Sequence, residues 1–270
     1  MIASTPASRP EILTLPAFSD NYIWLIRCLG RAVVVDPGDA TPVLSQLAAS
    51  GDQLCAILLT HHHPDHVGGV AKLLAANSGS ALPVYGPAAE NIGVVTRPLQ
   101  GGEHIRIDEL AAGFDVINVP GHTRGHIAYY SPGLAPDGVL FCGDTLFGAG
   151  CGRLFEGTPA QMQGSLARIA VLPASTLVFC GHEYTQANLR FACAVEPGNQ
   201  QTRARSKEVA RLRSENRATI PSRIGLELAT NPFLRWDAPE VIAAAGARLG
   251  HAPANAVQTF AAIREWKNSF

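Results

Sequence analysis

Long hydrophobic runs are missing from this 270-residue chain. The longest, Leu54–Leu59 and Val241–Ala245, fall far short of the roughly 20 apolar residues a spanning helix needs, so no membrane partner is expected. Cysteine is sparse and scattered. The six thiols at 28, 55, 142, 151, 180 and 193 form no C-x-x-C pair and no compact framework of the kind that staples small secreted domains, which suits reduced thiols in a cytosol-like compartment. Met1 to Pro10 holds one Arg and no apolar core of a secretory signal, so the cytoplasm is the expected location. Charge is also scarce: 16% of residues are charged and the net is −1, which argues against broad attraction to nucleic acid or anionic lipid. With 47% apolar residues the chain is not disordered, and at this length it buries about three quarters of its unfolded surface. It can build a core without staples.

The small net charge hides an asymmetry. Residues 1–182 carry nine Lys and Arg against fourteen Asp and Glu, net −5, whereas 183–270 carry twelve against eight, net +4. Segments of strand length and composition, bounded by Gly and Pro, are predicted at 22–28, 31–36, 56–60, 114–119, 126–130, 139–142 and 177–180, with helices at 42–49, 67–76 and 161–172 between them. Strands with occasional helices over 180 residues mean stacked sheets covered by helices. After Gly181 the pattern turns helical, at 184–195, 201–217, 241–249 and 253–268. An α+β chain is expected, with a catalytic region over 1–183 and an all-α region over 184–270.

The densest chemical signal is Thr60-His61-His62-His63-Pro64-Asp65-His66, directly after the apolar run that ends at Leu59. Four imidazoles and a carboxylate within six residues at a strand end are costly to bury without a counter-ion. A metal ion resolves that cost. A solvated histidine run is the plainer alternative, but density and position favour metal. His61 and His63, two apart in an extended segment, point the same way and can share one cation, while Asp65 and His66 on the following turn reach a second. Three more strand ends, each beside glycine, supply His122, Asp144 and His182. Charge and reach then allot His61, His63 and His122 to one ion, Asp65, His66 and His182 to another, and Asp144 to both as a bridge between cations roughly 3.5 Å apart. Two divalent ions against two carboxylates leave a positive surplus that would lower the pKa of a shared water toward ~7. His62 is expected to point away, His126 to orient a neighbour, and Asp36 to support a ligand His or simply to form a turn.

The set T-H-x-H-x-D-H, G-H-T-x-G-H, C-G-D-T-L-F and C-G-H-E-Y resembles the metallo-β-lactamase superfamily, and within it the glyoxalase II (hydroxyacylglutathione hydrolase) family. The likeness runs from Leu15–Trp24 through Gly150–Arg153 to Thr219–Ser222, Asn231–Arg235 and Arg264–Lys267. It implies an αββα four-layer sandwich with a binuclear site at one edge and a small helical domain that helps bind glutathione. The implied reaction is hydrolysis of S-D-lactoylglutathione to D-lactate and glutathione, the second step of methylglyoxal detoxification, in a cytoplasmic monomer. The resemblance carries the seven ligands over to the positions above and adds Arg153, Tyr184, Arg264 and Lys267 as glutathione contacts. Many relatives have Lys where Arg153 stands and Tyr where Phe155 stands, so a charge is kept and a hydroxyl is missing.

The expected chemistry needs no Ser or Cys nucleophile: activated water attacks a thioester, Asp144 holds both ions, and Asp65 ligates and manages a proton. Zinc is the expected metal, with iron or manganese accepted by the same donors. Rivals are a lactonase or β-lactamase on the same scaffold, a mononuclear-iron glutathione persulfide dioxygenase, and a nucleic-acid module using Arg203–Arg217. The last lacks interleaved aromatics. Deleting 250–270 is expected to raise KM for glutathione thioesters and to matter little for a lactam or lactone.

Overall fold

A computed structural model describes residues 9–77 and 81–270. Residues 1–8, on which most of the expected absence of a leader rests, lie outside the described residues. Among those described, two six-stranded sheets form the centre. The first follows chain order: β1 (Glu11–Ala17), β2 (Asn21–Cys28), β3 (Arg31–Val35), β4 (Gln53–Leu58), β5 (Val84–Pro87) and β6 (Arg97–Leu99). Helices α1 (Ala40–Ser50), α2 (Pro64–Val67) and α3 (Val70–Ala76) connect its parallel part.

The second sheet begins with β7 (His104–Ile107), β8 (Ala112–Asn118), β9 (Ile127–Ser131) and β10 (Val139–Gly143). A short hairpin, β11 (Leu146–Phe147) and β12 (Gly150–Cys151), and α4 (Pro159–Ala170) precede β13 (Leu177–Cys180). The chain then runs through α5 (Thr185–Val195) and α6 (Gln200–Ser214) to β14 (Ser222–Arg223), and ends with α7 (Ile224–Thr230), α8 (Pro239–Leu249) and α9 (Ala256–Ser269). The sheet order is β14-β13-β10-β9-β8-β7. The helical tail thus contributes an edge strand to the body, pairing Leu177 with Arg223 and Val178 with Ser222. No helix among the described residues is long and apolar enough to cross a membrane.

Strand periodicity makes the layers. In β2, Tyr22, Trp24 and Ile26 face the core between the sheets, while Ile23 and Leu25 join Val43, Val70 and Leu73 beneath α1 and α3. In β4 the pairing passes from Ala32 opposite Leu54 to Val33 opposite Ala56. Cys55 is the extra residue of that bulge, so Leu54 and Ile57 share one face although three apart. Across the second sheet, α4 buries Met162, Leu166 and Ile169 at helical spacing and starts in a Thr158/Gln161 capping box.

Behind the β11–β12 hairpin, Glu227 in α7 is 2% exposed and accepts from Ala149 N–H at 2.7 Å, Asn231 Nδ2 at 3.0 Å and the Ser222 hydroxyl. Asn231 also donates to the Phe147 and Gly150 carbonyls. This network ties the tail to the segment that follows Asp144. Glu227→Ala strands the Ala149 N–H and is expected to cost about 2–3 kcal/mol, read as a lower urea midpoint at unchanged m-value.

Candidate metal centre

Strand polarity gathers the predicted donors. β8 and β10 both run antiparallel to β9, and β13 runs parallel to β10, so the C-terminal ends of β8, β10 and β13 share one rim. His122, Asp144 and His182 follow those three ends. The 61–66 segment leaves β4 of the facing sheet and turns into α2, which begins at Pro64, a position where a helix tolerates proline. The helix expected over 67–76 stands as α3 over 70–76: Gly69, just before it, donates its N–H to the Pro37 carbonyl at 2.9 Å, and a Cβ there would lie 2.5 Å from Ala40 N and Pro37 O.

All seven predicted donors converge. Reactive atoms of His61, His63 and His122 lie within 4.8 Å of one another, and so do those of Asp65, His66 and His182. His63 Nδ1 is 3.1 Å from both His61 Nε2 and His122 Nε2. Asp65 Oδ2 is 3.6 Å from His66 Nε2 and 3.4 Å from His182 Nε2. Asp144 stands between the groups: its Oδ2 is 3.4 Å from both His122 Nε2 and His182 Nε2, and its Oδ1 is 3.4 Å from His66 Nε2.

On four of the five donor rings the outward nitrogen is held by a neighbour, which turns the other nitrogen inward. His61 Nδ1 meets the Thr60 hydroxyl at 3.0 Å, His66 Nδ1 meets Asp36 at 3.0 Å, His122 Nδ1 meets the Arg153 carbonyl at 2.8 Å, and His182 Nδ1 meets Asp20 at 2.7 Å. Asp36, His61 and His66 also approach closely enough to suggest a third group. Asp36 already accepts from Thr60 N–H and Oγ1 as well as facing His66 Nδ1, which makes it a support of His66. His62 points away and pairs with Glu90. His126 stacks on His61 and accepts the Asp144 N–H at 3.1 Å, so it orients a neighbour. Sequence reading missed Asp20, Asn21 and Glu90, whose partners lie 28 to 162 residues away along the chain.

Burial holds His61 well below the ordinary imidazole pKa, with the surrounding histidines adding to the effect, and burial likewise lowers His63 and His122. Those three present lone pairs. Burial opposes charge on His182 as well, but the Asp144, Asp65 and Asp20 carboxylates outweigh it and push the pKa up to about 11. A proton there does what a cation would do. Two buried atoms carry the test of fit: His66 Nε2 and Asp144 Oδ1 have no hydrogen-bond partner although they face each other across 3.4 Å. A divalent ion satisfies both lone pairs at once, and the His/Asp donors suit one.

Of the predicted glutathione contacts, Tyr184 and Arg153 touch donor rings, while Arg264 and Lys267 lie on α9. Tyr184, 36% exposed, stacks on the His182 ring at 4.7 Å. Arg153 has an exposed side chain, and its carbonyl backs His122. Arg264 is buried, donates to the Cys151 carbonyl at 3.0 Å and leaves its Nε without a partner. Lys267 lies one turn on, its ammonium 5.1 Å over the Phe191 ring. Phe155, 60% exposed, sets its ring edge-on to His63 and His122.

Residues 18–182 match the metallo-beta-lactamase superfamily, and residues 183–270 match the hydroxyacylglutathione hydrolase C-terminus. A hydroxyacylglutathione hydrolase of Pseudomonas aeruginosa is 54% identical over 263 residues, covering 96% of this chain and 99% of its own. One from Methylobacillus flagellatus is 51% identical over 260 residues at the same coverage. Among solved structures, the BLEG-1 B3 metallo-beta-lactamase superposes with a TM-score of 0.61 at 24% identity, over 83% of this chain and 99% of that one. TTHA1623 in a di-iron-bound form gives 0.56 at 28% identity, over 83% and 100%. With a superfamily core and this particular helical C-terminus joined in one chain, and relatives matched almost end to end, the protein belongs to the hydroxyacylglutathione hydrolase family of the metallo-beta-lactamase superfamily.

Proposed function

We propose that this chain is a binuclear metal-dependent thioester hydrolase that cleaves S-D-lactoylglutathione to D-lactate and glutathione, the second step of methylglyoxal detoxification. The observation that carries the reading is the pair of donor groups flanking Asp144, in a chain whose tail matches the hydroxyacylglutathione hydrolase C-terminus. His61, His63 and His122 would hold one ion, Asp65, His66 and His182 the other, and Asp144 both. Zinc suits this nitrogen and oxygen set, as do iron and manganese. When bound, the ions supply a water that ionises near neutral pH and polarise the thioester carbonyl.

The chain's own residues do the rest. Asp65, with 38% of its side chain exposed, is placed to pass a proton to solvent. The Cys142 thiol is fully buried and pushed well above its ordinary pKa by desolvation, so it is no nucleophile. Arg153, Tyr184, Arg264 and Lys267 hold the glutathione moiety, and in this reading residues 184–270 are a glutathione-binding unit on a catalytic unit of 1–183. The same reading makes the protein a cytoplasmic monomer with no nucleic-acid partner.

Lys267 supplies a pH test. Burial first, and the Arg264 and Arg190 guanidinia second, pull its pKa down to about 8. The ammonium is charged below that pH and lost above it, so KM for a glutathione thioester is expected to climb about tenfold between pH 7 and 9.5 from this group, if its contact with a substrate carboxylate is worth about 1.4 kcal/mol. Lys267→Arg, always protonated, should flatten the KM profile, whereas a climb that persists in that variant would remove Lys267 from the contact.

The reading as a whole is tested by metal analysis of purified protein alongside ultraviolet loss of the lactoylglutathione thioester. Turnover of a lactam or lactone with no thioester hydrolysis, or oxygen uptake with glutathione persulfide, would replace it. Deleting 250–270 no longer makes a clean discriminator, because α9 buries Phe260 and Ile263 in the main core. Side-chain replacements at Arg264 and Lys267 serve instead.

A further inference from the structure

Two residues on the hairpin entering β2 touch one donor group and not the other. Asp20 Oδ1 meets His182 Nδ1 at 2.7 Å, and the Asn21 Nδ2 amide donates to Asp65 Oδ2 at 2.9 Å. The backbone locks the same segment onto the far sheet: Glu183 N–H donates to the Asp20 carbonyl at 2.8 Å, Tyr22 N–H donates to the Gly181 carbonyl at 2.8 Å, and Asn21 forms a bridge with His182. Asn21 is 6% exposed, so its amide has no water to turn to if Asp65 moves. Asp65 comes from the first sheet's side and His182 from the second. One dipeptide therefore spans the two halves of a donor group whose members are 117 positions apart.

In the other group the Thr60 hydroxyl backs His61 and the Arg153 carbonyl backs His122, while Glu90 ties the His62 ring to the 123–125 loop. Neither Asp20 nor Asn21 reaches that set.

We propose that Asp20 and Asn21 are positioning residues that act as a clasp for the Asp65/His66/His182 group alone, setting the affinity and orientation of one of two ion positions. This rests on the two-ion reading above. Asp20 fixes which nitrogen of His182 faces inward and strengthens it as a donor, and Asn21 holds Oδ2 of Asp65 at the angle the group requires.

The test is metal retained per chain when loaded full-length enzyme is equilibrated against a graded chelator series. Wild type is expected to hold two equivalents. Asp20→Ala and Asn21→Ala should each release one equivalent at about 10- to 100-fold lower chelator, with the other following wild type, and that retained equivalent also reports a folded chain. Asp20→Asn keeps an oxygen for His182 Nδ1 and should fall between. In a His182→Ala background, Asp20→Ala should add nothing further. Equal weakening of both equivalents, unchanged retention in Asp20→Ala, or additivity with His182→Ala would overturn the clasp. Wild type holding fewer than two equivalents would instead sink the two-ion reading.

Discussion

Asp144→Ala is expected to lose both metal retention and turnover, with kcat for the thioester down at least about a thousandfold, the equivalent of about 4 kcal/mol. The reason is position. Asp144 reaches both donor groups: its Oδ2 lies 3.4 Å from His122 of one group and from His182 of the other, and its Oδ1 lies 3.4 Å from His66. It is buried, and a water in the space an alanine leaves would bring no negative charge. Burial by itself would raise its pKa, yet the His66, His182 and His122 imidazoles outweigh that and hold it far below the ordinary carboxylate range. Removal leaves those imidazoles facing one another with no anion between them. Two residues away, Cys142→Ala should leave hydrolysis mostly intact, because the thiol faces the Leu146 carbonyl inside the core. Inductively coupled plasma measurement of metal content, run beside kinetics, separates the two variants. Near-normal rates and two retained ions in Asp144→Ala would end the bridging role.

A single added methyl at residue 181 is expected to damage the same centre. A Cβ on Gly181 would sit 2.6 Å from Asp144 Oδ1, 2.7 Å from His66 Cε1 and 3.5 Å from His66 Nε2, beside the gap between the two buried atoms that lack hydrogen-bond partners. Neither neighbour can retreat freely, since His66 is anchored through Nδ1 to Asp36 and the Asp144 backbone is anchored to His126. Gly181→Ala should therefore fold, through the unchanged pairing of β13 with β10, while metal affinity and kcat both fall by about 10- to 100-fold, as for lost ligand orientation. Gly164→Ala, with nothing within 4 Å of its Cβ, is the matched control. Full metal retention in Gly181→Ala, with wild-type kinetics, would show that the gap is not where the ions sit.

Much of this is legible in the amino-acid sequence alone. Strands centred on Trp24, Val34, Val116, Tyr129, Phe141 and Phe179 and the long helices stand where composition puts them. The strands that escaped reading are β1, β5, β6 and β7, together with the two-residue strands β11, β12 and β14. Pro16 in β1, Gly86-Pro87 in β5 and Pro98 in β6 look like turn punctuation, because proline removes a ladder donor. They survive as edge or near-edge strands, supported by neighbours that local sequence does not reveal. The helix expected over 67–76 begins three residues later, at Val70, for a comparable reason: Gly68 and Gly69 meet the 37–40 turn closely, a contact between distant segments.

The amino-acid sequence by itself determined the inventory of donors and the alternation that builds each sheet, since both follow from backbone geometry acting over a few residues. His61 and His63 share a side because an extended chain repeats every two residues, and Pro64 starts the turn that carries Asp65 and His66. Only the tertiary structure decided which ring nitrogen faces inward and what holds it there. That depends on Asp20 meeting His182 and Asn21 meeting Asp65 across the seam between sheets, and a hydrogen bond spanning 162 residues is chosen by how two packed layers come to rest.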